Sequence, residues 1–400
     1  MKIQQKLEKI LQKPVCNNCL GRQFAKLLSG LSNEQRGKII RQYAAFLLDA
    51  GEIDVDSSNF YGIKFYNRKI KPNKPKKCYL CGNLFSELKK KAEEIEKKLR
   101  KYEYKTFLIG SRPKTNLLKK EEELWEKIGI DYCEPLRAEI NRELGKIVEK
   151  LTKKRMDYKP DITVFVDFNK NDIQLHIRSL YIYGKYQKLK RGIPQTKWKN
   201  KIFKTSVQEE IAKPILKATK SKESRFHGSG REDIDARCLG WRPFVIEILN
   251  PVKRKINLKE IQRQINKSKK VQVKGLKFVE KLIVRDIKSA TNDKTYRIIV
   301  TFEKPIENLK QVKKLKNTVI LQQTPKRVLR RRADKLRKRK VLDIKYKILG
   351  KKKAEFIITT QAGLYVKELV TGDDSRTQPN ISDIINNRVK KMELDVIKIK

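Results

Sequence analysis

The chain has 400 residues, with 97 Lys and Arg against 46 Asp and Glu, for a formal net charge of +51. A hydrophobic share of 38% excludes a disordered tail and is enough for two or three separate cores. No apolar run approaches the ~18 residues of a membrane span, and "MKIQQKLEKI" has no signal-peptide core. The expectation is a cytoplasmic protein, with no membrane contact, whose partner is a nucleic acid. A Lys-rich thermophilic background would add to the same charge.

Ile3, Leu7, Ile10 and Leu11 fall on one helical face, and Ile39, Ile40, Tyr43 and Leu47 mark a second helix. Between and beyond them stand Cys16-x-x-Cys19 and Cys78-x-x-Cys81. In a reducing compartment, two such pairs point to metal rather than disulfides. Four thiolates suit one tetrahedral structural Zn2+ with no open position for catalysis. Buried free thiols or a redox pair are the alternative. Residues 1–84 read as a helical region clipped by this site. Cys133 and Cys238 read as small hydrophobes.

Residues 85–200 read as a middle domain. Leu88, Ala92, Ile95 and Leu99 mark a helix, "KTFLIG" a buried strand, and Leu136, Ile140, Leu144, Ile147 and Leu151 a long helix. "DITVFVDF" and "DIQLHIRSLYIYG" alternate as strands around the turn "NKND". Tyr181, Tyr183, Tyr186 and Trp198 interleave with basic residues, as a base-stacking surface would; a hairpin with core-facing tyrosines fits the residue types equally. His176 reads as structural. "KRGIPQTKWKNK" reads as a linker. The stretch resembles a THUMP domain, an RNA-binding module of tRNA-modifying enzymes.

Residues 201–400 alternate strands such as "FVIEIL", "KTYRIIVTFE", "EFIITT" and "DVIKIK" with shorter helices. The expected class is α+β, on a mostly antiparallel sheet. "FHGSGREDIDARCLG" sets Glu232, Asp233 and Asp235 between Arg231 and Arg237. An aspartate that attacks a ribose must stay ionised, and so needs a neighbouring cation; a surface loop of Arg–Asp pairs is the bland alternative. Lys294 and Tyr296 share one strand face, and Tyr365 and Lys367 sit at a strand-to-helix turn. Ten basic residues lie between Pro325 and Lys340, offset only by Asp334. This reads as a nucleic-acid-contacting loop. No P-loop or G-x-G-x-x-G element occurs, so no redox or nucleotide cofactor is expected.

The paired knuckles, "FHGSGREDIDARCLG", "RPFVIEILNP", "QTPKRVLRRRADKLRKRKV" and "QAGLYVKELVTGDDSRTQPNISDI" together resemble the archaeal and eukaryotic tRNA pseudouridine synthase family called Pus10, over nearly the whole chain. The resemblance implies pseudouridine formation at tRNA positions 54 and 55 in the TΨC arm, by a monomer. It implies that Asp233 is the essential aspartate and Lys367 its basic partner. Tyr296 would stack on the target base, with Tyr365, Arg231 and Lys294 near the substrate. Lys326, Arg327, Arg330, Arg331, Arg332 and Arg337 would belong to a flexible RNA-gripping loop. Glu232, Asp235 and Arg237 read as supporting residues. Two stretches depart from the family pattern: "CLGWRPF", shortened and carrying Trp241, and "TGDDSRT", with Thr371 and Ser375. Another THUMP enzyme or a non-catalytic tRNA chaperone are the rival readings; the first lacks its cofactor loop, the second leaves Asp233, Tyr296 and Lys367 unexplained.

Overall fold

The computed structural model describes residues 2–198 and 202–400. The last three positions of the expected linker lie outside the described residues. The chain forms two compact units, Met1–Arg178 and Ser179–Lys400.

The first unit opens with helices α1 (Ile3–Ile10), α2 (Asn17–Gly21) and α3 (Asn33–Ala50). Ser32 caps α3 by accepting from the Gln35 amide at 3.2 Å, as an N-cap serine should. Helices α2 and α3 cross closely: a Cβ on Gly21 would fall inside the Asn33 carbonyl, so only glycine fits there. Helix α4 (Leu84–Leu99) buries Leu88, Ala92, Ile95 and Leu99 at helical spacing. Strands β1 (Thr106–Arg112), β2 (Arg155–Met156), β3 (Ile162–Asp167) and β4 (Asp172–Ile177) form a sheet in the order β2-β1-β3-β4, with β1 and β3 parallel. Helices α5 (Thr115–Ile128) and α6 (Leu136–Thr152) connect β1 to β2.

The second unit is built on a large, mostly antiparallel sheet. Its strands are β5 (Leu180–Lys188), β6 (Glu223–Gly228), β7 (Arg237–Leu249), β8 (Val271–Val279), β9 (Lys294–Phe302), β10 (Val319–Gln322), β11 (Arg337–Gly350), β12 (Lys353–Thr360), β13 (Thr377–Gln378) and β14 (Val389–Ile399). The order is β13-β10-β11-β12-β9-β14-β7-β5-β8, with β6 paired to β7. Helices α7 (Val207–Thr219), α8 (Leu258–Asn266), α9 (Leu282–Ser289), α10 (Val366–Thr371) and α11 (Ile381–Ile384) complete it. One core gathers Ile298, Phe302, Phe356 and Leu369; another gathers Ile182, Tyr186, Phe244 and Ile211. Each such fully buried side chain contributes about 1.5–3 kcal/mol. Between the two halves, β14 and β7 pair in parallel over only two positions, Asp395 with Arg237 and Val396 with Cys238. There β7 runs so close to β14 that a Cβ on Gly240 would press on the Lys398 backbone at 3.0 Å.

Four expectations change. "DIQLHIRSLYIYG" is two strands in different sheets: β4 pairs with β3, whereas β5 pairs with β7 and β8. The unit boundary therefore falls at 178/179 rather than 200, and residues 1–84 and 85–178 share one core. Period-two alternation runs through both strands and cannot register the break at Arg178 and Ser179. Tyr186 is fully buried and donates to Glu232 at 2.9 Å, so it is a core residue and not a stacking platform. The start of the expected linker is also packed: Ile193 and Gln195 are buried, and Val207 donates to the Pro194 carbonyl.

Candidate active site

The loop between β6 and β7 carries Asp233. Its backbone is held from behind by groups that do not reach the surface. Lys188, fully buried at the end of β5, donates to the carbonyls of Ile193, Asp233 and Ile234 at 2.9, 2.9 and 3.1 Å. Burial pulls its ammonium below the ordinary lysine value. Arg242, from β7, donates to the Ser229 carbonyl at 2.8 Å. Its Nε lies 3.0 Å from Glu232 Oε2, as an ion pair rather than an aligned hydrogen bond. Gln195 joins this group by donating to the Tyr186 hydroxyl and to the Gly230 carbonyl, at 2.8 and 3.0 Å. Glu232 is thus turned into the core, while Asp233 next to it stays one-third exposed.

In front of the loop, two cations meet Asp233. Lys367, in the first turn of α10, places Nζ 3.3 Å from Asp233 Oδ2. Arg327 donates to Asp233 Oδ1 at 3.1 Å and to Glu368 Oε1 at 2.6 Å. Lys367 also bonds both oxygens of Asp235 at 2.8 Å. Burial works against the Asp235 carboxylate, yet the Lys367 ammonium holds it below its ordinary value. Burial would likewise lower Arg327, but Glu368 and Asp233 raise it.

These groups open on a cavity of about 410 Å³. Leu364, Val366, Leu394 and Val396 give it an apolar floor, with Tyr296 beside them. Burial pushes the Tyr296 phenol up to about 12, so it is neutral at physiological pH. Arg231, Lys294, Arg331 and Arg332 also line the cavity. Lys294 points back to the Asn292 carbonyl at 2.7 Å. Tyr365 accepts from Arg332 at 2.8 Å, and the guanidinium groups of Arg327, Arg332 and Arg337 each lie about 6 Å from its ring. A carboxylate flanked by two cations, in a cavity that also presents a neutral phenol and four aliphatic side chains, can engage a flat base and act on its sugar.

The basic loop is tied at both ends. Lys326 donates through its amide to Asp373 at 3.0 Å and pairs with Asp374 at 2.6 Å. Arg376 bonds Asp334 at 2.6 Å. The "TGDDSRT" turn makes these contacts with Asp373, Asp374 and Ser375 at φ of 49, 51 and 64°. Three left-handed non-glycine residues in a row cost of order 1–3 kcal/mol each, and the side chains that tie the loop are Asp373, Asp374 and Arg376 rather than the departing Thr371 and Ser375. Among the six loop residues expected to face RNA, Arg327 is committed to carboxylates and Lys326 to Asp374. Arg330 is exposed, and Arg331 lies over Trp198 at 5.3 Å. The other departure, "CLGWRPF", is not a turn: it lies within β7, where Lys274 covers the Trp241 ring at 4.3 Å.

Sequence reasoning missed Lys188, the double engagement of Arg327 and the sharing of Lys367 with Asp235. The only signal for Lys188 is a lone lysine at a core position of an alternating strand. Arg237 is held elsewhere, donating to Asp395 at 2.9 and 2.7 Å.

In the first unit, the Sγ atoms of Cys16, Cys19, Cys78 and Cys81 lie within 4.8 Å of one another. Cys16 and Cys81 are 3.6 Å apart, close to the ~3.8 Å edge of a tetrahedron with 2.3 Å metal–sulfur bonds. Burial pushes the Cys19 thiol up, and a bound cation would reverse that. The donor set fits a metal ion. Arg22, fully buried, places Nη2 3.8 Å from Cys19 Sγ and ion-pairs with Glu121 on α5. Cys133 and Cys238 are buried, as small hydrophobes are.

Residues 181–400 match the family model "Pus10, C-terminal", and residues 91–167 match "Pus10 THUMP domain, archaeal". By class, then, the chain is a pseudouridine synthase, an isomerase. More narrowly, it belongs to the Pus10 family. It is 39% identical to the tRNA pseudouridine synthase Pus10 of Pyrococcus furiosus, covering 99% of this chain and 98% of that one. It is 36% identical to the protein of that name from Thermofilum pendens, over 98% and 95%. No helix among the described residues is long and apolar enough to cross a membrane.

Proposed function

We propose that this chain converts uridine to pseudouridine at positions 54 and 55 in the TΨC arm of tRNA, as a cytoplasmic monomer. One observation carries the reading. Asp233, Tyr296, Tyr365 and Lys367 come from three separate stretches of sequence and line one cavity. The target uridine is flipped out of its stack to enter it. Tyr296 stacks on the uracil. Asp233 acts on the ribose, as nucleophile at C1′ or as base at C2′, and Lys367 and Arg327 favour its charged form. The N1–C1′ bond breaks with its electron pair on N1, the held base rotates, C5 bonds to C1′ as the aspartate leaves C1′ or the C2′ proton returns, the C5 proton is lost and N1 takes up a proton. Atoms and electrons balance without any co-reactant.

The four-cysteine cluster holds a structural Zn2+, whose four protein ligands leave it no catalytic position. The test is an unmodified tRNA transcript incubated with the enzyme and no S-adenosylmethionine or ATP. Pseudouridine mapped to positions 54 and 55 supports the reading. Salt-sensitive binding without product would select a tRNA chaperone instead.

A further inference from the structure

Helix α3 carries apolar residues on both faces. Ala44, Leu47 and Leu48 are buried. On the opposite side Ile39, Tyr43 and Phe46, at spacings of four and three, are exposed at 54, 51 and 74%. One turn further, the Asp49 carboxylate accepts from the amides of Tyr66, Asn67 and Arg68 at 3.1, 3.0 and 3.0 Å. This pins Tyr66, 96% exposed, to the end of the same helix. The segment that follows the pin is cationic. From 64 to 77, "KFYNRKIKPNKPKK" has seven Lys and Arg and no acid, and all seven are exposed.

We infer that this face of α3, with the 64–77 segment, binds unpaired nucleotides of the RNA substrate, by stacking on Tyr43, Phe46 and Tyr66 while the cations hold the phosphates. Aromatic rings next to exposed cations are what single-stranded nucleic acid engages. Paired RNA offers such rings no base faces. A protein partner fits worse, because protein interfaces are depleted in lysine. The surface belongs to the first unit and lies outside the THUMP match at 91–167, whereas the cavity at Asp233 belongs to the second. The identity of the ligand rests on the tRNA reading above.

The test uses the full chain and an unmodified tRNA transcript. Replacing Tyr43, Phe46 and Tyr66 together by Leu keeps an apolar surface and removes the π faces. With the stacked bases lost, the affinity falls at least about tenfold. The turnover number at saturating tRNA is unchanged, as is the salt slope of binding. Phe46→Trp keeps wild-type affinity. Changing Lys69 and Lys71 to Ala instead lowers the salt slope by about one for each phosphate no longer neutralised. The three aromatic positions are exposed, and matching circular dichroism and metal content check that the triple variant folds. Affinity within twofold of wild type for the triple Leu variant overturns the inference. So does unchanged tRNA affinity with abolished self-association in sedimentation for Phe46→Asp, which would make the face a contact between copies. If wild type binds tRNA but makes no pseudouridine, the proposed function fails while the affinity comparison still decides this inference.

Discussion

Glu232→Gln is the perturbation whose size the structure sets best. Arg242 and Glu232 are 1% and 0% exposed and 3.0 Å apart. Glutamine keeps the shape and an acceptor for Tyr186, but leaves the Arg242 charge buried without a counter-charge. Breaking one side of a buried pair costs about 3–5 kcal/mol, or roughly two to four orders of magnitude in the folded-to-unfolded ratio. In urea the midpoint of unfolding should fall with little change in slope. The same pair sets the Ser229 and Gly230 backbone through Arg242 and Gln195, so pseudouridine formation should fall at temperatures where the variant is still folded. Replacing both partners, Glu232→Leu with Arg242→Met, should recover most of the stability, since an apolar pair leaves no charge to compensate. A single variant within about 1 kcal/mol of wild type would refute the idea that this pair braces the loop.

Three other outcomes follow from particular side chains. Arg327→Met removes a charged hydrogen bond to Asp233 worth about 1.5–3 kcal/mol, so the turnover number should drop by about ten- to a hundredfold; a raised KM with unchanged turnover would make Arg327 only a phosphate contact. Burial opposes the Asp395 carboxylate, but Arg237 and Arg191 hold it below the ordinary value. Its contribution is therefore full above roughly pH 4–5 and disappears as pH falls through the depressed folded value. Asp395→Asn should flatten the acid side of a stability–pH curve, and an unchanged acid slope would count against the pairing. Purified protein should carry about one zinc per chain, and chelation should lower the melting temperature of the first unit; a stoichiometry near zero contradicts the site.

The parts of the fold that were legible are those where local pattern and tertiary role agree. Helix α4 shows its buried face in Leu88, Ala92, Ile95 and Leu99, and the two knuckles announce themselves by spacing alone. The sheet boundary was illegible because β4 and β5 alternate alike and differ only in which strands they meet. Within the cavity, Asp233, Tyr296 and Lys367 were found through resemblance to a family, since three residues spread over 135 positions leave no local signature. Lys188 and the second cation, Arg327, were invisible for a different reason. A buried lysine bonded to carbonyls, and an arginine bonded to acids from two other segments, read in sequence as ordinary members of a basic chain. The acidic cluster in "FHGSGREDIDARCLG" likewise divides only in three dimensions. Glu232 turns inward to Arg242, Asp235 takes most of Lys367, and Asp233 is left facing the cavity.

The central claim is that the Asp233 carboxylate does the chemistry. It is tested most directly with Asp233→Asn on tRNA labelled with tritium at uridine C5. Asparagine keeps the size of the side chain and removes the charge. The expected result is tRNA affinity close to wild type and no tritium release above the protein-free background. Release within about tenfold of wild type, with binding intact, would contradict the claim.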